Sequence, residues 1–324
     1  MWDFPLFPER GSTLAGRVDA VFFVLMAISV FFTAAIGFLV TFLAIRYRKG
    51  SQADRSHAFS TNLKLEAAWI GVPLVIVLGI FAIGTQVFFE MYNAPKDATP
   101  IYVIGKQWMW KVQHPQGRSE INEIHLPVGR PVRLIMTSQD VIHSFYIPAF
   151  RMKQDVLPGR LTSEWFEPSK PGRYHLFCAE YCGTDHSRMG GWAVVMEPAD
   201  YERWLKSGND GASDAGPSMA STGARLFEKY HCTGCHGERS EFRAPKLAGV
   251  YGGQVPILAA NSKDVNFVTA DDRYIRDSIL LPKSQVVAGF DPVMPSYKDV
   301  LKEEELLQIM EYIKSIGRKE GTDR

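Results

Sequence analysis

Cys178-Ala179-Glu180-Tyr181-Cys182-Gly183-Thr184-Asp185-His186-Ser187-Arg188-Met189 places two thiols, an imidazole and a thioether in one short stretch, with a carboxylate between the thiols. Soft sulfur beside imidazole is a ligand set for copper or zinc, not for magnesium or calcium. A second imidazole is available from an earlier segment, His143 in Val141-Ile142-His143-Ser144-Phe145. Two plainer readings stand beside copper: a Cys178–Cys182 disulfide, or a tetrahedral zinc site. His186 and Met189, four and seven positions after Cys182, favour copper, since zinc has no use for a thioether.

Toward the C-terminus the second cysteine pair lies in His231-Cys232-Thr233-Gly234-Cys235-His236. Cys-x-x-Cys-His attaches c-type haem: the thiols form thioethers and His236 becomes the proximal iron ligand. A thioredoxin-like dithiol is the alternative, but it gives no role to the His directly after the second Cys. No histidine follows His236, and Met294 and Met310 are the only later methionines. Methionine is the usual sixth ligand in cytochromes c. Leu306, Leu307, Met310, Ile313 and Ile316 trace one apolar helical face, which makes Met310 a core residue. Met294, in Pro292-Val293-Met294-Pro295, sits in a Pro-flanked loop able to approach a haem face and is the predicted ligand. With both pairs so used, none of the four cysteines is left for a structural disulfide or a lipid anchor.

Toward the N-terminus two runs carry no charge, Ala20 to Ile45 and Ala67 to Phe89. Each exceeds the ~20 residues that span a bilayer, so residues 1–90 read as a transmembrane hairpin with spans of about 20–45 and 67–89. A cleaved signal peptide has a shorter apolar core and no second span. Arg46, Arg48, Lys49, Arg55 and Lys64 face a single Asp54 between the spans. Positive residues stay on the cytoplasmic side, so loop 46–64 is predicted inside, with both termini and everything after residue 90 exported.

The 324 residues and the net charge of +1 allow about two soluble-sized domains and call for no nucleic-acid partner. Beyond Pro95, β-branched and aromatic runs alternate with Pro and Gly: 101–112, 131–138, 160–166 and 172–178. That punctuation predicts an all-β domain over 91–206. Residues 207–221 are mostly Gly, Ser, Ala and Asp, with one Pro and with Met219 the only large apolar residue, and read as a flexible linker. A haem domain follows over 222–324. Near-balanced charge in both exported parts predicts that a tether, rather than charged docking, brings them together.

The copper loop, the spaced His143, the Gln107-Trp108-Met109-Trp110 segment and the charge-free hairpin resemble subunit II of the haem-copper oxidases. The terminal motif resembles a class I cytochrome c fused to it. The resemblance implies a multidomain fold: a two-helix hairpin, a cupredoxin-like Greek-key domain and an all-α cytochrome c domain. It further implies a dinuclear copper centre, CuA, bridged by Cys178 and Cys182. His143 and Met189 would complete one copper, and His186 with the carbonyl of Glu180 the other.

By the same resemblance Trp108 faces the electron donor, and Glu180 contributes to a magnesium ion shared with subunit I. Glu66, in a Glu-x-x-Trp-x-x-x-Pro context, stands at the mouth of a proton pathway; its plain alternative is a snorkelling interfacial carboxylate. His114, His125 and His175 read as bystanders. The implied function is electron transfer from haem c through CuA to the haems of subunit I, with oxygen reduced to water and protons pumped. The implied place is a bacterial inner membrane, among lipid, with subunits I and III and an upstream donor, either a cytochrome c or a quinol-oxidising complex. A CuA-containing nitric oxide reductase subunit is the alternative enzyme, and a stand-alone exported carrier the alternative outside enzymes. The full copper ligand set excludes a quinol oxidase.

Overall fold

The computed structural model of the chain describes residues 7–54, 61–207, 217–237, 244–259 and 264–317. The middle of the expected linker (208–216), part of the expected inner loop (55–60) and both chain ends lie outside the described residues.

Two long helices open the chain, α1 (Ala15–Arg46) and α2 (Leu63–Tyr92). Their apolar side chains, such as Phe38 and Phe81, are exposed rather than packed into the chain, as surfaces meant for lipid or neighbouring subunits would be. Asn62 caps α2 by accepting from the Leu65 N–H. The start of α1 and the end of α2 meet the same domain. Gly11 N–H donates to Ala149 O at 2.8 Å and Thr13 N–H to Glu167 O at 3.0 Å. Asp19 is held by Arg10 and Arg151 at 2.8 and 2.7 Å. At the other end, the Trp165 indole donates to Glu90 O at 3.0 Å, and Arg17 pairs with Glu90.

That domain is a two-sheet sandwich. Its strands are β1 (Thr99–Lys106), β2 (Met109–Gln113), β3 (Ser119–Ile121), β4 (Glu123–Pro127) and β5 (Val132–Ser138). The remainder are β6 (His143–Ile147), β7 (Met152–Val156), β8 (Thr162–Phe166), β9 (Gly172–Cys178) and β10 (Gly190–Met196), closed by α3 (Pro198–Lys206). One sheet runs β3-β2-β1-β5-β8 and the other β4-β10-β9-β6-β7. The expected run 101–112 is thus two strands, because the chain reverses at Gln107–Trp108 and pairs Lys106 with Met109. Strand alternation turns Ile101, Val103, Trp110 and Leu134 into the shared core, where each is fully buried.

The C-terminal domain begins with α4 (Met219–Lys229), inside the stretch expected to be linker. Ser218 accepts from Ser221 N–H as its cap, and Met219 is buried, which gives the helix an anchor that composition alone concealed. Then come α5 (Thr233–His236), β11 (Gln254–Ala259), β12 (Val265–Thr269), α6 (Asp272–Leu280), β13 (Gln285–Val287) and α7 (Glu303–Ser315). The helical frame matches the cytochrome c expectation. A three-stranded sheet, β12-β11-β13, is added to it; a reading as purely α missed these short Val-rich strands. Helices α4 and α7 cross at Gly223, where a Cβ would come within 1.9 Å of Gln308 O, so only glycine permits the approach.

The β-domain and the C-terminal domain are docked, which the tether expectation did not foresee. Tyr102, Ile104 and Ile135 point away from the sandwich core yet are buried, in one apolar cluster with Met219, Leu306 and Ile309. Polar contacts ring them. Lys314 reaches the Tyr102 hydroxyl at 2.6 Å and Asp272 at 2.5 Å, while Tyr102 donates to Glu311. Burial works against the charge on Lys314, but Asp272 and Glu311 outweigh it and its pKa is raised. Lys111 pairs with Glu304 at 2.6 Å. Net charge near zero on each domain conceals this local complementarity.

Candidate metal and haem centres

Strand pairing assembles the candidate metal-site residues. In the β6–β9 register Phe145 faces Cys178, which brings His143 at the head of β6 to the end of β9. The turn after β9 carries Glu180, Cys182 and His186, and the chain returns as β10 just after Met189. Both cysteines, His143 and Met189 are buried. The two Sγ atoms lie 3.8 Å apart, well beyond the ~2.05 Å of a disulfide bond. Around Cys178 stand His143 Nδ1 at 4.0 Å and Glu180 O at 3.3 Å. Around Cys182 stand His186 Nδ1 at 3.4 Å and Met189 Sδ at 3.6 Å.

Donors on a tetrahedral ion with bonds of roughly 2.0–2.3 Å sit about 3.3–3.8 Å apart. The residues therefore fit a metal, with His143, Cys178 and Cys182 close enough together to share one. His143 Nε2 lies 2.7 Å from Asp140 Oδ1. Donation there fixes the tautomer and leaves Nδ1 as the ligand atom. Burial raises both thiols. Contacts with His143, Ser144 and Glu180 overcome this at Cys178, which ionises first, and its charge adds to burial in raising Cys182.

Trp108 is half-buried, and its indole donates to Cys182 O at 3.2 Å; the Gln107 amide donates to the same oxygen at 2.8 Å. Gly183 sits beneath them at φ +117°, and a Cβ there would meet Gln107 Nε2 at 2.9 Å. Glu180 is exposed, on the rim of the loop. Asp140 and Gln107 were missed in the sequence. Asp140 precedes His143 by three residues, a spacing that would have suggested it.

The haem motif lines a cavity of about 520 Å³ whose walls include Phe227, His236, Ile275, Ile279, Met294 and Ile313. Protein interiors hold few voids larger than a water molecule, so an apolar cavity of this size suits a flat, apolar prosthetic group. His236 Nδ1 donates to Pro245 O at 3.0 Å, which leaves Nε2 for iron. Met294 is half-buried at the cavity, whereas Met310 is fully buried in the helical core.

The other predicted residues lie elsewhere. Glu66 is in the first turn of α2, where its carboxylate accepts from Asn62 N–H at 3.4 Å. His114 and His125 share Glu120, at 2.9 and 2.5 Å, and Trp204 stacks on His125. Glu123 lies beside them and pairs with Arg173 at 3.0 Å. This cluster satisfies its own charges and ties α3 to the sheets. His175 lies tilted against Trp192, with ring centroids 3.9 Å apart.

The family described as the periplasmic domain of cytochrome c oxidase subunit II matches residues 117–197, and the cytochrome c family matches 220–317. The chain is 28% identical to cytochrome c oxidase subunit 2 of Alkalihalophilus pseudofirmus, over 90% of this chain and 84% of that one. It is 30% identical to the alternative cytochrome c oxidase subunit 2 of Bradyrhizobium diazoefficiens, over 54% and 74%. With cytochrome c oxidase subunit 2 of Thermostichus vulcanus the identity is 32%, over 62% and 78%. A copper-ligand cluster at the end of a sandwich, a hairpin of apolar helices and a haem-binding domain after it lead to one conclusion: the chain belongs to the cytochrome c oxidase subunit II family and carries a cytochrome c domain at its C-terminus.

Proposed function

We propose that this chain accepts electrons in its cytochrome c domain and delivers them, by way of a dinuclear CuA centre, to the haems of an oxidase subunit I. There oxygen is reduced to water and protons are pumped. The observation that carries the reading is the convergence of four donor groups, His143, His186, Met189 and the Glu180 carbonyl, on the paired sulfurs of Cys178 and Cys182. Cys178 and Cys182 would bridge two coppers, with His143 and Met189 on one, and His186 and the Glu180 carbonyl on the other. Cys232, Cys235, His236 and Met294 would hold haem c. Copper and haem supply one-electron chemistry; the protein holds their ligands in place and shields them from water.

Several features support membership of a complex. Val141, Ile142, Phe177 and Tyr181 are exposed apolar side chains around the copper loop, a surface suited to burial against subunit I. The exposed Glu180 carboxylate is free to share a magnesium ion across such a contact. Subunit III and an upstream donor, a cytochrome c or a quinol-oxidising complex, complete the proposed assembly. Because both helix ends meet the β-domain, we place the N-terminus with it on the outer side of a bacterial inner membrane, and loop 46–64 inside. Trp108 is proposed as a route by which electrons reach copper, and Glu66 as a proton-pathway carboxylate.

Metal analysis with electron paramagnetic resonance tests the centre. The purified full chain should hold two coppers and one covalent haem and show a mixed-valence copper signal. Cys182→Ser should lose that signal and keep the haem spectrum. Zinc, or a single copper per chain, would defeat the dinuclear assignment.

A further inference from the structure

The docked face offers more than cohesion. Two adjacent carboxylates at the start of α7 point to the two cofactor sites. Glu304 takes Lys111 Nζ at 2.6 Å and the Gln139 amide at 2.7 Å. Gln139 is followed by Asp140, which holds His143 at 2.7 Å. On the other side, Glu305 accepts from the Tyr230 hydroxyl at 3.0 Å. The Tyr230 carbonyl is 3.9 Å from Sγ of Cys232, a haem-attachment residue. A continuous set of protein contacts therefore runs from the haem motif, across the first turn of α7, to a copper-ligand histidine.

We propose that this face is the handover site between the two domains, and that Glu304 is the positioning residue that sets it through Lys111 and Gln139. The inference rests on the haem-to-copper route proposed above and adds its docking surface. Electron tunnelling weakens steeply with distance and is better coupled through packed protein than through water, so a seated domain outperforms one swinging on its linker. Lys111 and Glu304 are each roughly one quarter exposed, which shields the pair from salt more than a surface pair. Apolar burial of Tyr102, Ile104 and Ile135 supplies adhesion, and the charged contacts supply register. This route reaches copper from the His143 side. Trp108, on the Cys182 side, is left for a second donor.

The test uses the full chain with both cofactors, reducing the haem by a light flash and following haem and copper absorption. Lys111→Glu and Glu304→Lys each oppose like charges across the face, and should slow transfer by about tenfold with both spectra intact. The double swap, Lys111→Glu with Glu304→Lys, should restore most of the rate. Glu304→Gln, which keeps a hydrogen-bond acceptor and disturbs folding least, should give an intermediate rate. Wild-type rates in the single variants, or slowing that the double swap does not relieve, would overturn the assignment of Glu304. Absence of haem-to-copper transfer in the unaltered chain would instead overturn the route on which it rests.

Discussion

At the scale of single residues, Met294 is the proposed haem ligand and Met310 a buried core residue. A thioether ligand favours ferrous over ferric iron and so raises the haem potential. Met294→Ala should lower the midpoint potential and remove the sulfur-to-iron absorption band, with little loss of fold. Met310→Ala empties a fully buried site and should cost about 2–5 kcal/mol of stability while leaving the band. A redox titration beside thermal unfolding distinguishes them, and the reverse pattern would move the ligand to Met310. For Glu66 the contact with Asn62 N–H gives the carboxylate a helix-capping duty as well. Glu66→Gln keeps an acceptor there and removes the proton site. Slower turnover of the complex with unchanged copper and haem spectra is expected; unchanged turnover across pH would leave only the cap. Met294 and Glu66 were both singled out on signals local in sequence, a Pro-flanked loop and a carboxylate at a helix start. The distance of His143 from the sulfurs was not legible, since it depends on which strands pair.

At the scale of elements, the Glu120 cluster makes a pH-dependent contribution. Burial raises Glu120, but hydrogen bonds and charge from His114 and His125 overcome it and hold the carboxyl at about 2, below its ordinary 4.5. A depressed carboxylate contributes stability that is fully present above the unfolded value and is lost as pH falls toward the folded one. The loss should fall between about pH 4.5 and 2. Thermal unfolding of the full chain over that range checks it. Glu120→Gln should cost ~1.5–3 kcal/mol at neutral pH, as charged hydrogen bonds do, and flatten this part of the acid limb. An equally steep limb in the variant would deny Glu120 the role. Other elements show where sequence reading stops. The apolar run Ile101-Tyr102-Val103-Ile104 has no polar alternation, which is the mark of a strand buried on both faces, yet nothing local says that a second domain covers it. Met219 likewise looked like linker, because it is buried in a cluster drawn from residues distant in sequence, such as Tyr102 and Leu306.

At the scale of the whole molecule, three units joined in sequence also meet in space. The helix ends are pinned to the sandwich by Asp19 and Glu90, and the haem domain is seated on the outer face of the β1–β5 sheet. Domain order and cofactor motifs were visible in the chain. Docking was not, because summed charge carries no information about which residues face each other. The seated arrangement makes electron transfer within one chain the central claim. Flash reduction of haem c in the full chain, followed at haem and copper wavelengths, tests it most directly. Haem reoxidation should keep step with copper reduction, and in Cys182→Ser the haem should stay reduced. Reoxidation equally fast in Cys182→Ser, or without any copper reduction in the unaltered chain, would contradict it.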